Sequence, residues 1–95
     1  MSTVLITGAS RGIGRATALL CAQHGWSVVV NYREDAAAAG DVVAAVTAAG
    51  GQALALGADV RIEQQVIGLF EKAVRAFGPL DGVVVNAGIV APAST

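Results

Sequence analysis

The 95-residue chain has the length of one small domain or of part of a larger one, and its apolar content favours the second. Hydrophobic residues make up 55% of the chain and charged residues 14%, more apolar surface than so short a chain readily buries. The net charge of −1 and the scattered basic residues argue against a nucleic-acid partner. We also expect no membrane span, no signal peptide and, with one cysteine and one histidine, no metal site, hence a cytoplasmic protein.

Short apolar runs alternate along the chain with longer helical patterns, which is typical of βαβ units and a parallel sheet. The runs lack a clean alternation of apolar and polar residues, as expected of strands that helices cover on both faces. The predicted strands are Thr3–Thr7, Val28–Asn31, Ala53–Leu56 and Val83–Val85.

Helices are predicted over about residues 12–23, 35–49 and 62–77, the last ended by Gly78-Pro79. Because crossovers between parallel strands are right-handed, the first three strands lie side by side. A fourth strand that returns to the free side of the first gives the order 3-2-1-4, with the third helix on the opposite face. The sequence therefore predicts an α/β fold, the first half of a doubly wound parallel sheet, with a ligand crevice beyond strands 1 and 4.

A glycine-rich segment, TGASRGIG at residues 7–14, directly follows the first strand and opens the first helix. The first amides of a helix lack intrahelical partners and carry the positive end of its dipole, so an unobstructed helix start binds phosphate. Gly8 would permit a tight turn, Gly12 a close approach to a pyrophosphate and Gly14 close packing of the helix. Ser10 would add a hydroxyl. The spacing fits neither G-x-G-x-x-G nor a P-loop, and a glycine-rich turn without a ligand is the alternative.

The segment from Thr7 to Gly14, which includes Arg11 and Ile13, resembles the motif with which short-chain dehydrogenases/reductases bind the pyrophosphate of NAD or NADP. Asp59-Val60 is similar to the family's acidic-apolar pair, whose carboxylate meets the adenine amino group. Asn86-Ala87-Gly88 resembles its N-A-G motif, which lines the adenine ribose and steadies the sheet. The resemblance covers essentially the whole chain and implies a Rossmann-type fold, three-layer α/β/α when complete. From the residues alone, Asp59 could serve a helix N-cap and residues 86–88 a plain turn.

The segment Asn31-Tyr32-Arg33, at the end of the second strand, bears on the choice of cofactor. An acidic residue here would bind the ribose diol of NAD, whereas a basic one would meet the 2′-phosphate of NADP. Glu34 and Asp35 come later, where we expect them to begin the second helix. Arg33 and Arg11 form a basic pair similar to that of NADP-preferring family members. NADP is the predicted cofactor; NAD stays an alternative because Glu34 could turn inward, and Arg33 could be a solvated loop charge.

The resemblance also implies hydride transfer between a nicotinamide and a carbonyl or alcohol carbon, which the family performs with Tyr, a Lys four residues later, Ser and Asn. The only tyrosine is Tyr32 and the only lysine is Lys72, so we assign no catalytic residue here. We expect residues 1–95 to be the N-terminal part of a single NAD(P)-binding Rossmann domain, with the catalytic and substrate-binding part outside this chain.

The function predicted for the parent protein is that of an NADP(H)-dependent oxidoreductase with a small-molecule carbonyl or alcohol substrate. It would be similar to 3-oxoacyl-carrier-protein reductases or to sugar dehydrogenases. The resemblance also implies that it forms a homodimer or homotetramer. A non-catalytic NADP-binding sensor and an inactive truncated fragment are the alternatives.

Overall fold

Strands and helices alternate throughout residues 2–86, the part of the chain that the computed structural model describes. Each boundary lies within one residue of the sequence-based prediction. No helix in this part is long and apolar enough to cross a membrane. The elements are β1 Thr3–Ile6, α1 Gly12–Gln23, β2 Ser27–Tyr32, α2 Ala36–Ala48, β3 Ala53–Gly57, α3 Glu63–Phe77 and β4 Gly82–Val84.

The four strands of residues 2–86 form one parallel sheet in the order β3-β2-β1-β4, which confirms the predicted topology. Leu5 pairs with Val29 of β2 on one side and with Val83 of β4 on the other. The order in which strands are added to the sheet therefore reverses at β1, although all strands stay parallel. In such sheets ligands bind beyond the carboxyl ends of the strands at this point.

Alternate side chains of β1 and β2 point to opposite faces of the sheet, and each face has its own apolar core. Leu5 and Val29 pack with Leu69 and Ala73 of α3. The other core combines side chains of β1 and β2 with those of α1 and α2, namely Val4, Ile6, Val28 and Val30 with Ala18, Ala39 and Val42. Helices therefore cover both faces, and α3 lies opposite α1 and α2 as predicted.

The first strand ends at Ile6, one residue earlier than the sequence indicated. Thr7 still donates its backbone N–H to the carbonyl of Val84, at 3.0 Å, so the contact with β4 continues past the strand. Gly8 then turns the chain with a φ of 59°, a left-handed conformation that glycine adopts without steric cost. This turn directs the chain into α1.

Candidate cofactor-binding site

A cleft opens at the carboxyl ends of the strands, where the sequence placed a ligand crevice. Its volume is about 310 Å³, at the small end of the range for ligand pockets. Two of the sequence motifs, the acidic-apolar pair and the asparagine after β4, meet the glycine segment here. The lining residues are Thr7, Gly8, Asn31, Arg33, Ala58, Asp59, Val60, Arg61, Val85 and Asn86.

The other predicted site residues take different positions. Ser10 and Arg11 lie between Gly8 and α1, and Gly12, Ile13 and Gly14 are the first three residues of that helix. The Tyr32 ring lies against Gly57 of the neighbouring strand, packed on the core rather than lining the cleft. Ala87 and Gly88 lie outside the described residues.

The glycine segment combines a tightly packed side with an open one. A Cβ atom on Gly14 would collide with the Gly8 carbonyl oxygen and lie 2.6 Å from Nδ2 of Asn86, so only glycine fits there. Gly12 has a φ of 62°, which again favours glycine, yet a Cβ on it would meet no other atom within 4 Å. The start of α1 therefore packs through Gly14 against the Gly8 turn and Asn86, and leaves free space beside Gly12.

Within residues 2–86, three helices begin near the cleft, and their starts differ. That of α3, with Ile62 as its N-cap, has no side-chain cap bond. Asp35 is the N-cap of α2, and its Oδ1 accepts the backbone N–H of Ala38 at 3.0 Å. Arg11 is the N-cap of α1, and no side chain there bonds to the first turn. Since the first amides of a helix have no intrahelical partner, those of α1 are available to an anion.

Thr7 and Asn86 tie the first and last described motifs together. The Asn86 backbone N–H donates to the Thr7 hydroxyl at 2.8 Å, and its side-chain Nδ2 donates to the Gly8 carbonyl at 3.1 Å. These bonds extend the contact between β1 and β4 beyond the strand ends. Thr7 is the first residue of the glycine motif, and its link to Asn86 was not predicted from the sequence.

Each arginine predicted to contact a phosphate forms a surface ion pair with a neighbouring acid. Arg11 Nη2 lies 2.7 Å from Asp35 Oδ2, and Arg33 Nη2 lies 3.1 Å from Glu34 Oε2. Exposed pairs of this kind contribute about 0–1 kcal/mol, so a competing phosphate can displace them. The position of Asp35 at the start of α2 was predicted from the sequence. Its bond to Arg11, 24 positions earlier in the chain, was not.

Asp59 is held by Arg61, a residue that the sequence analysis missed. The guanidinium Nε and Nη2 donate to Oδ1 and Oδ2 at 3.0 and 2.8 Å, and the Arg61 backbone N–H donates to Oδ1 at 3.0 Å. These hydrogen bonds keep the pKa of Asp59 well below its usual range, so the carboxylate is ionised in the cleft wall. Asp59 does not cap α3, whose N-cap is Ile62. The presence of a basic residue two positions after Asp59 could have predicted this ion pair from the sequence.

A comparison with protein families gives one match that spans almost the whole chain, the short chain dehydrogenase family over residues 2–95. The chain belongs to the short-chain dehydrogenases. In this member of the family, the glycine loop, the acidic-apolar pair and the asparagine after β4 lie at the same edge of the sheet.

This short-chain dehydrogenase chain is similar to several longer proteins. It is 49% identical over 90 residues to the uncharacterized oxidoreductase YgfF of Escherichia coli (strain K12), covering 95% of this chain and 36% of the relative. It is 48% identical over 85 residues to a 3-oxoacyl-[acyl-carrier-protein] reductase of Synechocystis sp., covering 90% and 34%. A dehydrogenase/reductase structure from Sinorhizobium meliloti 1021 superimposes with a TM-score of 0.90 at 40% identity, covering 93% and 35%. The chain spans about a third of the length of these relatives.

Proposed function

We propose that this short-chain dehydrogenase chain is the cofactor-binding N-terminal part of a single NAD(P)-binding domain, and that the whole protein is an NADP(H)-dependent oxidoreductase. The supporting observation is that α1, whose N-terminus has no side-chain cap, starts at the same sheet edge as the cleft that Arg33 lines. A helix start without a cap attracts a phosphate, and a guanidinium adds a charged donor for a second one.

The residues of the glycine loop fit a pyrophosphate. The space beside Gly12 admits the phosphates, and the backbone amides from Gly12 to Gly14 would donate to them at the positive end of α1. Ser10 would add its hydroxyl, and Ile13, exposed at the start of the helix, would lie beside the ligand. Here the chain binds and orients the dinucleotide.

The cleft fits the adenosine half of the cofactor. Asp59 is ionised, and a carboxylate can accept the adenine amino group while it keeps its bonds to Arg61, because its two oxygens offer about four acceptor sites. Val60 is part-exposed and offers an apolar contact for the base. Asn86, with Ala87 and Gly88 after it, would border the adenine ribose.

Arg11 and Arg33 would bind the 2′-phosphate that distinguishes NADP from NAD. Both guanidinium groups are largely solvent-exposed, with side-chain exposures of 75% and 51%, so they are accessible to a phosphate. Asn31 and Tyr32 would border this end of the site through the strand end that carries Arg33. NAD binding remains compatible with the site, since Glu34 adjoins the same position.

When bound, the cofactor supplies the hydride acceptor or donor for a carbonyl or alcohol substrate. Residues of this chain would hold and orient it, while the catalytic and substrate-contacting groups would come from the rest of the protein. By analogy with its relatives, we propose a small-molecule substrate of the 3-oxoacyl-thioester or sugar class, a homo-oligomeric assembly and a cytoplasmic location.

The substitution Arg33→Asp in the natural full-length protein tests the cofactor assignment. It removes a charge-assisted contact worth about 1.5–3 kcal/mol, so the affinity for NADP should fall at least about tenfold while the affinity for NAD is spared. Isothermal titration with each nucleotide measures both values. Lys72→Asp, on the exposed side of α3, makes the same change in net charge away from the cleft and should leave both affinities unchanged. An unaltered affinity of Arg33→Asp for NADP would refute the assignment.

A further inference from the structure

Asn31 is the most deeply buried polar side chain of the cleft, with 2% of its surface exposed. It stands near the end of β2, between the glycine loop on one side and the segment after β3 on the other. A buried amide that lacked hydrogen-bond partners would destabilise the fold, so the partners of this one are informative.

The side-chain oxygen of Asn31 faces the glycine loop. Oδ1 accepts the backbone N–H of Gly8 at 3.3 Å, and the Asn31 backbone carbonyl accepts the next amide, that of Ala9, at 2.9 Å. Asn31 alone thus accepts hydrogen bonds from two successive amides of the loop, just before the chain enters α1.

The side-chain nitrogen of Asn31 faces the opposite way, toward the other wall of the cleft. Nδ2 lies 3.3 Å from the carbonyl of Tyr32, 3.2 Å from that of Leu56 and 3.3 Å from that of Ala58. Ala58 directly precedes Asp59. The amide therefore links three strand ends, and all of its hydrogen-bonding groups are used within the protein.

We propose that Asn31 is a positioning residue, which fixes the glycine loop relative to the Ala58–Asp59 segment and so sets the distance between the pyrophosphate and adenine ends of the site. The proposal rests on the proposed nucleotide-binding function. Asn31 acts on the cofactor through Gly8 and Ala58 rather than through a bond of its own amide. Valine or leucine would fill the same space without spanning the two walls.

The test compares Asn31→Ala with Val29→Ala in the natural full-length protein. Val29 lies two residues earlier on the same face of the strand, packs with Leu5 and Leu69 and does not line the cleft, so its truncation lowers the melting temperature without removing a hydrogen bond of the cleft walls. We expect Asn31→Ala to weaken NADP binding at least about tenfold and Val29→Ala to change it by less than about twofold. If Asn31→Ala does not fold, Asn31→Ser, which keeps a hydroxyl donor, is measured in its place.

Amide hydrogen exchange without nucleotide provides an independent readout. Asn31→Ala should accelerate exchange at Gly8, which loses its acceptor, and at Ala9, whose acceptor is the unchanged backbone carbonyl of residue 31, whereas Val29→Ala should not. NADP affinity equal to that of Val29→Ala, or unaltered exchange at Ala9, overturns the proposal. If the unsubstituted protein binds neither nucleotide, the proposed function fails, and the exchange rates alone decide the role of Asn31.

Discussion

Asp35 uses its two carboxylate oxygens for different purposes. Oδ1 caps α2 through the Ala38 amide, and Oδ2 pairs with the guanidinium of Arg11 in the glycine loop. Any phosphate that Arg11 binds must compete with this pair. If Arg11 binds the 2′-phosphate as proposed, we expect Asp35 to oppose that binding.

The substitution Asp35→Asn separates the two functions, because asparagine caps a helix as well as aspartate but carries no charge. An exposed ion pair contributes up to about 1 kcal/mol, so releasing Arg11 should raise the affinity for NADP by up to about fivefold and leave NAD binding unchanged. Calorimetric titration at low ionic strength measures the change. Asp41→Asn, an exposed site within α2, is the charge-matched control. A fall in NADP affinity would show that the ion pair orients Arg11 instead of competing for it.

The sequence alone predicted which glycines and arginines belong to the candidate site, but it did not predict the side chains and backbone groups that they contact. Gly14 was predicted to allow close packing, and the structure adds the reason, which is contact with Gly8 and Asn86. The bond of Arg11 to Asp35 and the network of Asn31 depend on how separate elements approach each other. No periodicity or spacing along the chain contains that information.

The elements themselves were predictable because local signals agree with the topology. Apolar runs without alternation mark strands buried on both faces, and the stripe on α3 ends at Gly78, which follows the last helical residue. The boundary differences at Thr7 and Gly82 arise where a turn conformation and strand pairing, rather than composition, decide where a strand ends or begins.

In the described part of the chain, α3 and the edge at β4 expose apolar surface, in addition to Ile13 and Leu20 of α1. Ile67 and Val74 of α3 are exposed, as are Val83 of β4 and Val85 just after it. Within residues 2–86, β4 pairs with β1 alone, so its other edge presents unpaired backbone groups. Open edges and apolar patches of this kind promote association.

The 95-residue chain produced alone should therefore self-associate at micromolar concentration. Sedimentation velocity and thermal denaturation measure this directly. Ile67→Lys, which places a charge on the exposed side of α3, should shift the distribution toward monomer. A monomeric species that melts cooperatively without the substitution would contradict the expectation.

At the scale of the whole molecule, the sheet order brings residues from distant parts of the chain to one edge. The glycine loop after β1, Arg33 after β2, Asp59 after β3 and Asn86 after β4 are far apart in sequence but adjoin the same cleft or lead into it. Family membership makes this edge the place to look for a dinucleotide.

A crystal structure of the natural full-length protein with NADP tests the central claim most directly. We predict the pyrophosphate within hydrogen-bonding distance of the amides at the start of α1, and the 2′-phosphate in contact with the guanidinium groups of Arg11 and Arg33. Adenine should lie against Val60, with Asp59 accepting its amino group. A nucleotide bound elsewhere, or a 2′-phosphate that contacts neither arginine, would contradict the account.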